Sequence, residues 1–433
     1  MNARRLALVI ALATFANAAN AQTPADSLRL PALRAAATAT DPRAAQMELL
    51  AAQSALRLRN INSDLMPSLS VDGLAQYQSD VSRIGATVPG INIPTPTKDT
   101  YDAKLSAQQR IYDPTLSPRR SVERAQVAES QARVRTALYT LLDLVNSAFY
   151  AALRSQTQIA ETETSIADLE AQLVVADARV KENSALPSEA NILRAELLKR
   201  RQTVAEQQAS TRAAIAVLSD LTGKPIDPNS PLAPPDLAIE TIEARKSVAS
   251  LRARPEYEEF ARSREVLQQT ERAQSAQDLP RLSAFGQVGY GRPGLNALSN
   301  TFDSYWLGGL KLQWTPWTWG TTARDRQITA LQRQIVTTEE RAFTAQLDRA
   351  IEQDVATIDR LESTLAEDDQ IIALRENILT ETRARFAEAV ITSADYVERE
   401  TDVLSARISR ALHRVELSQA RAHLLTTLGV EVR

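Results

Sequence analysis

The chain contains one nine-residue segment twice, as LMPSLSVDG at residues 65–73 and as DLPRLSAFG at residues 278–286. The two copies are 213 residues apart, and Pro42 and Pro255 obey the same offset. Self-similarity at the scale of half a chain indicates two copies of one structural unit. The sequence therefore predicts a fold built from an internal repeat.

The later part of each copy aligns at a smaller offset of about 205, as residues 191–196 with 395–400 show. The first copy therefore carries a longer insertion, which we place at residues 79–100 because this stretch is rich in proline. We divide the chain into an export signal (1–21), a first repeat (22–223), a proline-rich joint (224–254) and a second repeat (255–433).

Long helices are predicted where the chain lacks both glycine and proline, at residues 119–186 and 321–428. Both stretches are rich in good helix formers and carry apolar residues at a spacing of three or four. Such a helix extends for about 100 Å, so it belongs to coiled-coil packing rather than to an ordinary globular domain. Each stretch contains one reversal, which makes a long helix followed by a shorter one.

The two reversals have recognisable turn chemistry. In the first, Asn183 tolerates a left-handed backbone and Pro187 is expected to stop the incoming helix. In the second, Thr392 or Ser393 can cap the next helix. The predicted turn residues are Asn183, Ser184, Pro187, Ala389, Thr392 and Ser393.

Two pairs of alternating segments lie between the short and the long helices. In residues 101–112 polar side chains occupy every second position, so one face of this strand prefers water. This pattern is typical of a membrane barrel with a wet interior, and equally of an antiparallel sheet on a soluble core. Trp306, Trp314, Trp317 and Trp319 lie near the end of the last segment and favour the barrel, as aromatic residues at the lipid interface. We predict strands at about 68–78, 101–112, 282–291 and 303–315, with Lys104, Arg110, Lys311 and Gln313 facing the lumen.

The strand count predicts an oligomer if the sheet is a barrel. Four strands cannot enclose a water-filled lumen, whereas about twelve can. Three identical chains would supply them, so the membrane interpretation predicts a homotrimer.

Composition excludes several classes of function. The 433 residues include no cysteine and only two histidines, which excludes disulfide scaffolds, zinc–thiolate sites, cysteine nucleophiles, histidine-rich metal sites and a lipid-carrying N-terminal cysteine. The net charge of −3 gives no electrostatic footprint for nucleic acid. No nucleophile, metal set or phosphate loop is evident, so we expect neither an enzyme nor a cofactor.

The first residues predict export. Arg4 and Arg5 precede an apolar run at residues 6–15 and small residues at 19–21, which is the order of a cleavable secretory signal. A membrane anchor is the alternative, although about ten apolar residues are too few to cross a bilayer as a helix. We place the cleavage after Ala21 and predict no transmembrane helix in the mature chain.

With these features, nearly the whole chain resembles the outer-membrane efflux proteins, the TolC-like channels. The resemblance rests on the order and duplication of AFYAAL (148–153), WTPWTWG (314–320), RFAEAVITSAD (385–395) and TLG (427–429). It implies a mainly helical trimer with a twelve-stranded outer-membrane barrel and a periplasmic tunnel of twelve helices. It also implies a periplasmic adaptor and an inner-membrane RND or ABC pump that dock at the helical tip.

The resemblance further implies an acidic ring at the narrow end of the tunnel, and the matching residues are Asp395 and Glu398. At i and i+3 they share one face of a helix, where a ring of carboxylates selects cations. The alternative is that Thr392 caps this helix and Asp395 suits its positive end, which needs no pore. The first copy has Asn191 and Arg194 at these positions, so the tip is asymmetric.

Details of the closed tip do not transfer from the family. Ala389 stands where family hairpins have glycine, and Ile391 stands where some members have a locking arginine. Arg383 and Arg385 lie near the second turn, where they either pair with a neighbouring helix or are simply solvated.

The sequence leaves several functions open. We expect an outer-membrane efflux duct for drugs or metal ions, with the outer-membrane component of type I protein secretion as the alternative. A soluble periplasmic adaptor is more distant, because it would need a compact β-rich domain beside a single hairpin. A glycosidase using Asp368 and Asp369 is least favoured, since neighbouring residues on a helix do not face each other.

Overall fold

The structure, a computed structural model, describes residues 27–81, 95–246, 253–296 and 299–430. The predicted export signal and residues 82–94 of the predicted insertion lie outside the described residues. The helices are α1 (Leu30–Thr40), α2 (Gln46–Ser63), α3 (Leu116–Lys181), α4 (Pro187–Thr222), α5 (Ala238–Lys246), α6 (Pro255–Ala276), α7 (Thr321–Ala387) and α8 (Ser393–Leu428), with a 3-10 turn at Pro42–Ala45. The strands are β1 (Leu28–Arg29), β2 (Ser68–Tyr77), β3 (Asp99–Tyr112), β4 (Leu232–Ala233), β5 (Arg281–Arg292) and β6 (Asp303–Gln313).

The internal repeat is visible in the order of the elements. The first copy runs α2, β2, β3, α3, α4 and the second runs α6, β5, β6, α7, α8, so the predicted order of short helix, two strands, long helix and shorter helix is confirmed. Two further helices were not predicted: α1 lies within the predicted first repeat, and α5 lies within the predicted joint. The stretch between the copies also contains β4, which pairs in parallel with β1.

The four long helices form two hairpins, α3 with α4 and α7 with α8. The long arms have 66 and 67 residues and extend for about 100 Å, and each short arm has 36 residues. Helix α3 begins at Leu116, three residues before the predicted start, and accommodates Pro118 in its first turn, where no intrahelical N–H bond is lost.

The first turn follows the end of α3 at Lys181. Asn183 has a φ of 58°, the left-handed conformation that was predicted for it, and the Ser184 amide donates to the Arg179 carbonyl at 2.9 Å. The role predicted for Pro187 is wrong. The proline is the first residue of α4, where its fixed φ suits a helix start, and α3 ends six residues earlier without it.

The second turn follows the end of α7 at Ala387. Ala389 has a φ of 59°, and the Val390 amide donates to the Arg385 carbonyl at 2.9 Å, which repeats the geometry of the first turn. Alanine therefore adopts a conformation that glycine adopts more easily. Thr392, not Ser393, is the N-cap of α8.

The main sheet has the order β2-β3-β5-β6 and is antiparallel throughout. Its four strands lie within two residues of the predicted bounds. The central pair, β3 with β5, joins the two copies, and the register places Leu105 opposite both Val71 on β2 and Val288 on β5. A bulge between Arg110 and Tyr112 shifts the register near the helices.

This register gives the sheet one apolar and one polar face. Residues directly opposite each other in antiparallel strands point to the same side, so the apolar series of the four strands align, as do the polar series. The apolar face is open: Leu69 is 72% exposed and Leu310 is 68% exposed. Its largest members are Leu69, Val71, Leu105, Val288, Trp306, Leu310 and Leu312.

Buried side chains form two separate cores along the helices. The larger, here called the middle core, joins α1, α3, α4, α7 and α8 through residues such as Leu30, Phe149 and Leu424. The smaller, here called the tip core, lies next to the two turns and contains Leu169, Leu193, Leu197, Phe386 and Tyr396. In the described part of the chain, no helix combines the length and the apolar composition needed to cross a bilayer.

Candidate functional site

The two helical turns lie side by side and are joined by Arg179 of α3. Its guanidinium donates to the carbonyl oxygen of Phe386 at 2.9 Å and to that of Ala387 at 2.5 Å. The same group lies 5.4 Å from the centroid of the Phe386 ring. Since the last carbonyls of a helix lack intrahelical partners, Arg179 satisfies the end of α7 and fixes it against α3.

The start of α8 is held by residues of both hairpins. The Thr392 hydroxyl accepts from the Asp395 amide at 3.2 Å, and Asp395 Oδ2 accepts from the Thr392 amide at 3.1 Å, which completes a capping box. Glu189 of α4 accepts from the Ser393 amide at 2.5 Å. Two carboxylates therefore lie at the positive end of α8, where they are stabilised.

Asp395 and Glu398 are both exposed on α8. The hydrogen bond from the Thr392 hydroxyl to Asp395, at 2.7 Å, lowers the pKa of this carboxyl and keeps it ionised. Glu398 lies 3.5 Å from the neighbouring Arg399 of the same helix. The capping interpretation of Asp395 therefore matches its contacts, and both carboxylates remain open to solvent as a pore constriction would require.

A partly buried polar contact just above the turns joins the two hairpins. Asp168 of α3 accepts from the Tyr396 hydroxyl at 2.7 Å and from Arg383 of α7 at 2.6 Å. The Tyr396 ring stacks on Phe386 with centroids 5.0 Å apart, and burial raises the pKa of its hydroxyl. Arg383 thus pairs across the hairpins, whereas Arg385 lies 4.0 Å from Glu381 of its own helix.

A second polar contact lies one turn further from the tip. Glu400 of α8 pairs with Arg200 of α4 and accepts from Ser165 of α3, and Arg200 also donates to Thr401 at 3.1 Å. Burial raises the pKa of Glu400. Neither contact was predicted from the sequence. The sequence signal that could have revealed them is a polar group on the apolar face of α8: the hydroxyl of Tyr396 in the first contact and the carboxylate of Glu400 in the second.

The predicted lumen residues share the polar face of the sheet. Lys104, Arg110, Lys311 and Gln313 all belong to the series opposite the apolar face. Arg110 approaches Asp64 at 3.3 Å and Asp113 at 3.5 Å. On the same face, the Tyr305 hydroxyl crosses over β5 to donate to Asp102 at 2.6 Å, and Gly289 leaves the space for its ring.

The structure places the four tryptophans at two levels along the strand direction. Trp314, Trp317 and Trp319 follow β6 on the side of the helices, whereas Trp306 pairs with Val288 about 25 Å further along the strand. All four are between 57% and 81% exposed. Trp317 and Trp319 contact each other edge to face, with centroids 5.9 Å apart.

Among the described residues, no group of three or more histidine, aspartate and glutamate side chains is placed to hold a metal ion. The charged residues of the tip instead take part in helix capping and in pairs between helices or within one helix.

No family model matches the sequence, and no curated protein matches it either. Solved structures do match. CusC, a protein that forms a transmembrane channel, has a TM-score of 0.70 with 14% identity, over 93% of this chain and 92% of CusC. The open state of the Neisseria gonorrhoeae MtrE outer-membrane channel has a TM-score of 0.65 with 16% identity, over 94% of this chain and 90% of MtrE.

The outer-membrane protein VceC of Vibrio cholerae has a TM-score of 0.61 with 14% identity, over 93% of this chain and 97% of VceC. These matches cover 93% to 94% of this chain and 90% to 97% of the matched chains. The chain therefore has the fold of outer-membrane channel proteins. The TolC-like resemblance seen in the sequence is confirmed at the level of the fold.

Proposed function

We propose that three copies of this chain form an outer-membrane exit duct of a tripartite efflux system. The duct conducts small molecules, drugs or metal ions, passively to the exterior, and the turns at the helical tip gate it. Its partners are a periplasmic adaptor and an inner-membrane RND or ABC pump. The outer-membrane channels with the same fold support this proposal.

The observation that carries the proposal is the open, two-faced sheet. Within the described residues, β2 and β6 each pair on one side only, so two strand edges of ten and eleven residues are left free. Free strand edges of this length are expected to pair with another strand, and an exposed apolar face is expected to contact lipid. Three sheets joined edge to edge form a barrel of about twelve strands with the polar face inside.

Exposed apolar stripes on the helices support the same assembly. Ile328, Leu331 and Ile335 lie on one face of α7 and are 52% to 58% exposed. Leu49 and Leu56 form a similar stripe on α2, also 59% to 67% exposed. Both stripes lie in helices adjoining the sheet. A head-to-tail contact between them repeats around a threefold axis and closes after three chains.

Membrane placement follows from the two levels of tryptophan. Membrane barrels carry aromatic girdles at both interfaces of an apolar band about 25 Å tall. Trp306 therefore lies at one interface, and Trp314, Trp317 and Trp319 lie at the other, next to the periplasmic helices. Lys104, Arg110, Lys311 and Gln313 line the lumen.

Gating belongs to the tip, where α3, α4, α7 and α8 reverse. In the trimer, Asp395 and Glu398 of three chains form a ring of carboxylates around the narrow end of the tunnel, and this ring favours cations. Asn183, Ser184, Pro187, Ala389, Thr392 and Ser393 shape the turns to which the adaptor docks. Each repeat, 22–223 and 255–433, supplies one hairpin, and residues 224–254 join them.

The decisive experiment is the oligomeric state in a membrane extract. We expect the protein in the outer-membrane fraction, migrating near three times the monomer mass in mild detergent and collapsing to the monomer on heating. A monomer released in full by osmotic shock would contradict the proposal and favour a soluble adaptor. Passage of an unfolded polypeptide through the reconstituted channel, with its adaptor and pump, would favour type I secretion instead.

A further inference from the structure

A cavity of about 620 Å³ lies between α1, α3, the start of α6 and the end of α8, away from both the sheet and the tip. Most of its wall is apolar and includes Pro31, Leu138, Leu142, Pro255 and Val430. Its volume falls within the range of about 300 to 1,000 Å³ that is usual for sites of small ligands.

The cavity also contains a buried positive charge, Arg34 of α1. This residue is only 6% exposed. Its Nε donates to Asn146 Oδ1 and its Nη2 donates to Thr426 Oγ1, both at 2.8 Å. Both acceptors are neutral, and in the part of the chain that the structure describes, no carboxylate lies within 4 Å of Arg34. Burial lowers the pKa of Arg34, but a guanidinium stays protonated in proteins.

The other charges around the cavity are already balanced. Arg135 makes two hydrogen bonds to Glu258, at 2.8 and 3.2 Å. Arg254 pairs with Glu256 and stacks on the Tyr139 ring at 5.0 Å. Among the described residues that line the cavity, Arg34 is therefore the charge that has no carboxylate in direct contact, and Asp143 of α3 acts on it only from beyond 4 Å. A buried charge without a contacting counter-ion is costly unless an anion meets it.

We propose that this cavity binds an amphipathic carboxylate, with its head on Arg34 and its aliphatic tail along Leu138, Leu142 and Val430. The wall supplies the apolar contact and the arginine supplies the charge that fixes the orientation. The site is independent of the duct, because none of its residues belongs to the sheet or to the tip.

Octanoate is a suitable probe, with octan-1-ol as its uncharged counterpart. We expect titration calorimetry of the full chain in non-ionic detergent to show one octanoate per chain and at least tenfold weaker binding of octan-1-ol. Arg34→Met should weaken octanoate binding at least tenfold. Equal binding of the alcohol, or unchanged binding to this variant, would overturn the proposal.

A second variant keeps the test decisive if Arg34→Met fails to fold. Ala35 is exposed and lines the cavity, whereas Ala32 is exposed on the same helix and does not. Ala35→Phe should fill the cavity and weaken octanoate binding at least tenfold while leaving the bonds of Arg34 intact. Ala32→Phe is the matched control and should bind as the wild type does. Loss of binding in both, or in neither, would contradict the proposal.

The chain itself is a second source of a carboxylate, because Glu431 follows Val430 in the sequence. Glu431→Gln distinguishes the two sources. Unchanged octanoate binding in this variant supports an external ligand. If only this variant binds octanoate, the chain fills its own cavity and the proposal is wrong.

Discussion

Replacing Asp168 by Asn tests how strongly the two hairpins are joined above the tip. The substitution keeps the shape of the side chain and removes its charge. Asp168 accepts one hydrogen bond on each oxygen, from Tyr396 at 2.7 Å and from Arg383 at 2.6 Å. An amide has only one acceptor oxygen, so either the Tyr396 hydroxyl or the Arg383 guanidinium loses its acceptor.

The expected loss follows from the partial burial of this contact. A hydrogen bond to a charged group contributes about 1.5 to 3 kcal/mol, and an exposed ion pair contributes up to about 1 kcal/mol. The side chains of Arg383 and Asp168 are 47% and 28% exposed, which favours the lower part of these ranges. A loss of about 2 kcal/mol changes the equilibrium between joined and separated hairpins roughly 30-fold.

Amide hydrogen exchange measures this separation directly, because exchange reports local opening. Peptides covering residues 182–186 and 388–392 should exchange roughly 30-fold faster in Asp168→Asn, while peptides of the middle core should not change. Asp177→Asn is the control, since Asp177 pairs at 2.6 Å with Arg194 within one hairpin and both are about half exposed. Unchanged exchange at the tip, or equal acceleration in the control, would refute the reasoning.

Three further outcomes are expected. Asp395→Ala combined with Glu398→Ala should reduce cation selectivity in planar bilayers, measured as a reversal potential closer to zero in a salt gradient. Unchanged selectivity would contradict the assignment of these two residues to an acidic ring. Gly289→Ala should reduce the yield of heat-sensitive trimer, because the new methyl group would lie 2.3 Å from the Tyr305 ring and cost about 1 to 3 kcal/mol. The control is Gly286→Ala, whose methyl group would enter open space, so this variant should assemble normally. The hydrogen bond of His423 to Asp354 at 2.8 Å raises the pKa of this histidine above 6.5, so its contribution to stability should be complete below pH 6.5 and lost as the pH rises through the folded-state value. The unfolding temperature of His423→Gln should therefore lie further below that of the wild type at pH 6 than at pH 9. An equal difference at both pH values would contradict the stabilising role of the protonated histidine.

Helices and strands were predictable because their signals are local. The stretches free of glycine and proline predict the hairpins, and the alternation in residues 101–112 predicts which face of the sheet is polar. The turn at Asn183 was equally readable, since its left-handed backbone is a property of a few neighbouring residues. Pro187 was misjudged, because proline is compatible with both the end and the start of a helix.

Contacts between distant parts of the chain were not predictable. Asp168 and Tyr396 are 228 residues apart, and Ser165 and Glu400 are 235 apart. Which residues of α3 face α8 depends on how the two hairpins pack against each other. The periodicity of a single helix carries no information about that packing. The two levels of tryptophan were missed for a related reason. Trp306 and Trp314 are close in sequence, but an extended strand places them about 25 Å apart.

The unpaired edges of the sheet have a consequence for biogenesis. In the proposed trimer, the apolar face contacts lipid and β2 and β6 pair with neighbouring chains, so folding of this region would depend on the concentration of protomers. Insertion into the bilayer and association would then be one cooperative event. Before that event, a cell would have to keep newly made copies from associating through these strand edges.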